Sequence, residues 1–234
     1  MKTNDLLNIK NLGVWYTKGK PVIKGLDLDI APGEITGLIG LNGAGKTTLI
    51  KTISGILDSF TADSILHDGK SFSFRDEAFK MSRFVVYSED HSFGELTFDE
   101  YCSYVFKSYK KPETDTSGLV KGFHFEEYTG VPMKELSMGN RKKASLITAF
   151  ALRPELLILD EPVNGLDFQS TEYLYKQIYE YRTCGSLLFS SHILESICLT
   201  SDRVIVLENG TISNTFKGDE ITPEQVRGAL NEQL

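Results

Sequence analysis

Residues 40–48 read Gly-Leu-Asn-Gly-Ala-Gly-Lys-Thr-Thr and match the pattern G-x-x-x-x-G-K-[ST] without a mismatch. The apolar run 35–39 ahead of them reads as a buried strand, and residues 47–53 behind them as the first turns of a helix. This strand–loop–helix setting separates a phosphate-binding loop from a glycine-rich turn that merely enters a helix. Glycines at 40, 43 and 45 let the backbone curl so that its N–H groups face phosphate oxygens. The helix N-terminus adds partial positive charge. Lys46 is placed as a point charge for β- and γ-phosphates, and the Thr47 hydroxyl as a Mg²⁺ ligand. Asn42, Gly43, Ala44, Gly45, Lys46, Thr47 and Thr48 are thus the expected nucleotide-binding loop.

A chain of 234 residues can bury one sizeable core with a smaller lobe attached. Its net charge of −7 argues against a nucleic-acid platform, which is usually basic. Cys102, Cys184 and Cys198 are odd in number and form no C-x-x-C pair, which reads as reduced thiols in a cytoplasmic protein. No segment approaches the roughly 18 apolar residues of a spanning helix, and residues 1–10 lack a signal peptide's apolar middle. If the protein acts at a membrane, another chain must carry the spanning helices.

Residues 6–16 and 22–30 read as strands of a half-exposed antiparallel sheet, joined by a turn at 17–21. Tyr16 ends the first of them. It can stack on a nucleotide base or be a tyrosine at a solvent-facing strand edge. Residues 64–73 and 83–88 read as two further strands. The stretch 89–136 differs in texture: Thr97 and Glu100 form a capping-box pattern, and Tyr101, Tyr104, Val105 and Tyr109 recur at helical spacing. After a turn cluster at 110–118, a second helix runs through Tyr128, so this stretch reads as an inserted helical lobe. Helices are then expected at 141–152, 170–181, 193–199 and 223–234. Strands are expected at 156–159, 186–190, 203–208 and 211–216, the last two joined by an Asn209-Gly210 hairpin turn. Alternating strands and helices imply an α/β fold with a mostly parallel sheet and its ligand at the strand C-terminal ends. One domain results: a core of 1–88 and 137–234, including the N-terminal antiparallel subdomain, with the lobe at 89–136 inserted.

Leu156–Leu159 is followed by Asp160-Glu161, two carboxylates where a buried strand opens onto the expected site. Adjacent residues at a strand end point in different directions and suit different tasks. Asp160 would hold Mg²⁺ through water, and Glu161 would take a proton from the attacking water. Leu136-Ser137-Met138-Gly139-Asn140 precedes a helix, where Ser137 suits either phosphate binding or simple capping. His192 follows an apolar strand expected beside the one ending in Glu161, and it can bond a γ-phosphate or orient water. His67, His91 and His124 have no such placement and are given no role.

Together, residues 40–48, 136–140, 156–162, 164–167 and 191–192 resemble, in order and spacing, the ATPases of the ATP-binding-cassette (ABC) transporters. The likeness runs from Tyr16 to Gly210. It implies ATP and Mg²⁺ as ligands, hydrolysis using Glu161, His192 and Lys46, and metal contacts from Thr47 and Asp160. It further implies that Tyr16 stacks on adenine, and that Ser137 and Gly139 contact ATP held by a second cassette. Asn164-Gly165-Leu166-Asp167 resembles the loop along the dimer interface, with Asp167 at the nucleotide. Ser88 or Glu89 stands where the family has a metal-contacting glutamine, and Glu89 has the reach to replace it.

The chain departs from the family pattern in that missing glutamine and in a signature of Leu-Ser-Met-Gly-Asn. The resemblance implies a partnership with a separately encoded integral membrane subunit and a second cassette. The compact lobe and Arg141-Lys142-Lys143 resemble exporter cassettes. The rival readings are a soluble ABC ATPase, such as an iron–sulfur assembly factor, and a P-loop kinase, which would not explain the signature peptide.

Overall fold

The computed structural model describes residues 5–90 and 92–231. His91, the first four residues of the N-terminal stretch and the last three of the expected closing helix lie outside the described residues. Two sheets share the work of burial. The first is antiparallel, in the order β2 (Lys20–Ile30), β1 (Leu7–Thr17), β5 (Ser64–His67), β6 (Lys70–Ser71), with β4 (Phe60–Thr61) also paired to β1. The second runs β11 (Thr211–Lys217), β10 (Arg203–Glu208), β3 (Ile35–Ile39), β9 (Ser186–Ser191), β8 (Leu156–Leu159), β7 (Arg83–Val86). All of its neighbours are parallel except the β10–β11 hairpin.

The helices are α1 (Lys46–Ile53), α2 (Glu77–Ser82), α3 (Phe98–Ser108), α4 (Ser117–Gly122), α5 (Met138–Leu152), α6 (Phe168–Tyr181), α7 (Leu194–Thr200) and α8 (Pro223–Asn231). Side-chain alternation in the strands divides the core in two. Leu156 and Ile158 of β8 face a cluster shared with α1 and the antiparallel sheet, whereas Leu157 and Leu159 face the cluster under α3, α5, α6 and α7. A strand buried on both faces therefore reads as an unbroken apolar run, as this one does.

Several expected boundaries move. The single strand expected at 64–73 is a hairpin, because Asp68 (φ +49°) and Gly69 (φ +72°) turn the chain back. The strand expected at 83–88 stops at Val86, and α2 ahead of it had no expectation at all. Inside the lobe the helix expected to reach Tyr128 is α4, broken at Gly122-Phe123, followed by a 3₁₀ turn at Glu126–Tyr128. Helix α5 begins at Met138 rather than 141 because Ser137 caps it, its Oγ accepting from Asn140 N at 3.2 Å. Asp167 likewise starts α6 two residues early, accepting from Ser170 N at 2.8 Å. The Thr97–Glu100 capping box forms as its spacing predicts.

Candidate functional site

The order β3–β9–β8–β7 brings four loops to one end of the parallel sheet. They are the glycine loop after β3, His192 after β9, Asp160-Glu161 after β8, and Ser88-Glu89 after β7. Between them lies a cleft of about 580 Å³ lined by Val22, residues 42–43 and 45–48, Ser88, Glu89, Glu161, Asn164 and His192.

Its floor is the turn into α1. Gly43 (φ +84°) and Gly45 (φ +110°) occupy backbone conformations that L side chains rarely adopt. The amides of the first turn of α1 have no intrahelical carbonyl to bond, so they face the cleft as anion donors. The Lys46 ammonium is buried against Gly40 O at 2.7 Å and Leu41 O at 3.4 Å, with Glu161 Oε1 at 3.7 Å. It is a stored cation at the phosphate end of the loop.

The two carboxylates point apart. Asp160 is 0% exposed; its Oδ2 accepts from Thr47 Oγ1 at 3.0 Å and its Oδ1 from Ser190 Oγ at 2.7 Å. Among the described residues it has no ion-pair partner. A buried carboxylate held only by hydroxyls fits a divalent cation beside Thr47. Glu161 instead faces His192, whose Nδ1 lies 2.8 Å from its Oε2. Glu161 itself has φ +48°, and its N–H donates to Ser190 Oγ at 2.9 Å. Ser190 thus holds both acids at once, a role that its place before His192 did not signal.

Tyr16 lies nearby but outside the cleft lining. It is 58% exposed, and its hydroxyl is 3.3 Å from Thr48 Oγ1. Ser88 and Glu89 both line the cleft, so the choice between them is not made by position. Ser137, Gly139 and Asp167 do not line it. Ser137 caps α5, Gly139 packs so closely on Gly165 that a Cβ there would collide with the Gly165 carbonyl oxygen, and Asp167 caps α6.

Two consecutive lysines of α5 had no expected role. The Lys143 ammonium, 6% exposed, bonds Asp167 Oδ2 at 2.6 Å. Burial works to raise the Asp167 carboxyl, but bonds from Lys143 and Ser170 reverse this and hold it below the usual carboxylate range. Lys142 donates to Tyr87 O at 2.6 Å and Ser88 O at 2.8 Å. Burial pushes its ammonium down to about 8, against the opposing pull of Asp160, Asp90, Glu161 and Glu89.

A glycine-loop cation, a buried acid beside a helix-start threonine, and a second acid on a histidine together define a P-loop nucleoside-triphosphate hydrolase. The family model for ABC transporters matches residues 23–164. The chain is 35% identical over 224 residues to the putative ABC transporter ATP-binding protein AlbC of Bacillus subtilis (strain 168), covering 93% of this chain and 94% of that one. A solved structure described as the ATP-binding subunit of an ABC transporter superposes with a TM-score of 0.84 at 27% identity, over 96% of this chain and 94% of that one. The cbiO1 protein of Clostridium perfringens, described as part of the ABC transporter complex cbiONQ, gives 0.78 at 25% identity, over 99% and 96%.

The chain belongs to the ABC transporter family as an ATP-binding cassette. It is therefore an ATPase, and the mixed α/β fold with an antiparallel N-terminal sheet is that of the cassettes. Among the described residues no helix is long and apolar enough to cross a membrane.

Proposed function

We propose that this chain is the ATP-hydrolysing subunit of an exporter whose membrane-spanning subunit is a separate chain, and that it works as a head-to-tail pair of cassettes. The observation that carries the catalytic reading is the Lys46–Glu161–His192 chain of contacts at the mouth of the cleft.

In this reading the loop amides and Lys46 bind the β- and γ-phosphates of ATP. A Mg²⁺ ion held by Thr47, Asp160 and Glu89 would neutralise charge on those phosphates. Glu161 takes the proton of the attacking water. His192 donates its Nδ1–H to that carboxylate, which fixes the ring and leaves Nε2 turned from Glu161. Tyr16, at the exposed rim, stacks on the base.

Ser137 and Gly139 stand outside this chain's own cleft, as residues serving a second copy's nucleotide would. The separate membrane subunit and the peripheral membrane location accord with the cbiO1 protein's place in a multi-subunit transporter. Export rests on the compact lobe at 89–136 and on the sequence following the signature. The names of the relatives favour transport over a soluble assembly factor. The test is to purify the chain with its membrane subunit into vesicles and follow MgATP-driven substrate movement. Accumulation in the direction of import would overturn the export reading, and an absence of bound membrane protein would overturn the transport reading.

A further inference from the structure

Lys142 is a buried ammonium with two backbone acceptors and no side-chain partner in hydrogen-bond reach among those described. Such burial costs an ammonium its hydration and persists where charge-assisted hydrogen bonds offset the loss. Both acceptors, Tyr87 O and Ser88 O, belong to the segment leaving β7, and Lys142 belongs to the second turn of α5.

That segment is a shared wall. On one side Ser88 and Glu89 line the nucleotide cleft. On the other, Tyr87 through Asp90 line a second cleft of about 380 Å³, closed by Met138 and Arg141 of α5. The strand behind it is held to β8, since Asp160 N donates to Val86 O at 2.8 Å. Beyond Val86 the backbone leaves the sheet, and Lys142 is what bonds its next two carbonyls. The neighbouring Lys143 and Gly139 tie the same helix to Asp167 and Gly165. Helix α5 thus grips both the loop after β7 and the loop after β8, by consecutive lysines.

We propose that Lys142 is a positioning residue that joins the Ser88–Glu89 wall of the nucleotide cleft to helix α5, so that a change at the wall moves the Ser137 end of the helix. The link rests on the reading that Ser137 and Gly139 serve a second cassette's nucleotide. The sequence departs from its family's usual glutamine in the same wall, and the lysine supplies an anchor to that wall's backbone, which needs no particular side chain at 88 or 89.

Two experiments on the full chain test this. In the first, hydrogen exchange of the Glu161→Gln variant, as parent, is compared with and without MgATP. Residues 87–90 and 137–143 should gain protection together in that background, and this coupling should disappear in Glu161→Gln/Lys142→Met. Protection at 87–90 with none at 137–143 in the parent would overturn the link. Absence of protection at 40–48 would overturn the nucleotide site itself, and the link with it.

In the second, Lys142→Met and Lys142→Arg are assayed for ATPase activity and for binding of a fluorescent ATP analogue. Lys142→Met should lower kcat at least tenfold while the analogue's Kd and the KM stay within twofold, and Lys142→Arg should recover most of the loss. A kcat within twofold of wild type in Lys142→Met overturns the proposal. So does an equal loss in kcat and analogue binding, which marks a lysine that only supports the fold.

Discussion

The Nδ1 atom of His192 lies 2.8 Å from Oε2 of Glu161, and the backbone N–H of His192 also points at that oxygen, at 3.3 Å. A carboxylate only accepts, so the ring proton sits on Nδ1 and Glu161 is fixed by both donors. The acid that follows β8 and the histidine that follows β9 are thus one unit, although 31 residues separate them.

Removing the acid while keeping its shape tests the unit directly. Glu161→Gln should bind MgATP and hydrolyse it more slowly by about 10² to 10⁴, the usual worth of a general base. It should then elute as a dimer on size exclusion with MgATP. A monomer under saturating MgATP would count against the paired-cassette arrangement.

His192→Ala should retain ATP binding and lose activity by about tenfold or more, since it removes an orienting donor and leaves the base itself in place. The loss should appear in kcat with KM unchanged. Equal activity in the two proteins would show that Glu161 needs no help from the ring.

Lys46→Ala should abolish turnover and weaken MgATP binding with the fold intact. The ammonium bonds two backbone carbonyls of its own loop, so a small drop in melting temperature is expected as well. Unchanged turnover would remove the phosphate-loop assignment.

For the wall after β7, ATPase rate against free Mg²⁺ distinguishes two positions. Glu89→Gln should shift the curve and Ser88→Ala should not, because both residues line the cleft but the glutamate brings the longer side chain and a charged carboxylate oxygen suited to Mg²⁺. If Ser88→Ala alone moves it, the metal contact is one residue earlier.

Acid should release the brace between α5 and α6. The Asp167 carboxyl is held below its ordinary 3.8, so it adds stability that is complete above that value and is lost as pH falls through the lowered one. Asp167→Asn should therefore be less stable than wild type at pH 7, by about 1–3 kcal/mol for the buried Lys143 left short of a partner, as read from denaturant unfolding. The gap should narrow below about pH 4, near the unperturbed carboxylate value. A gap constant from pH 7 to pH 2 would show that the brace is not ionic.

What the sequence determined by itself was local. Residues 40–48 specify a turn that glycines permit, and Leu156–Leu159 with Asp160-Glu161 specify a buried strand ending in acid, because each depends on neighbours within one turn or one strand. The Thr97–Glu100 cap forms for the same reason. Tertiary structure decided which strand ends meet. Nothing near residue 190 announces that Ser190 will bond Asp160 Oδ1 and Glu161 N together, since that follows from β9 pairing with β8 in the sheet. Lys142 and Lys143 read as ordinary helix lysines until packing buries α5 against two loops and removes the water that would have solvated them. The turn at Asp68-Gly69 that splits the expected strand, and the left-handed backbone of Glu161, are likewise settled by where the chain must go next. Local propensity fixes an element's type, and the order of the strands, set by burial on both faces of the sheet, fixes which of its side chains become neighbours.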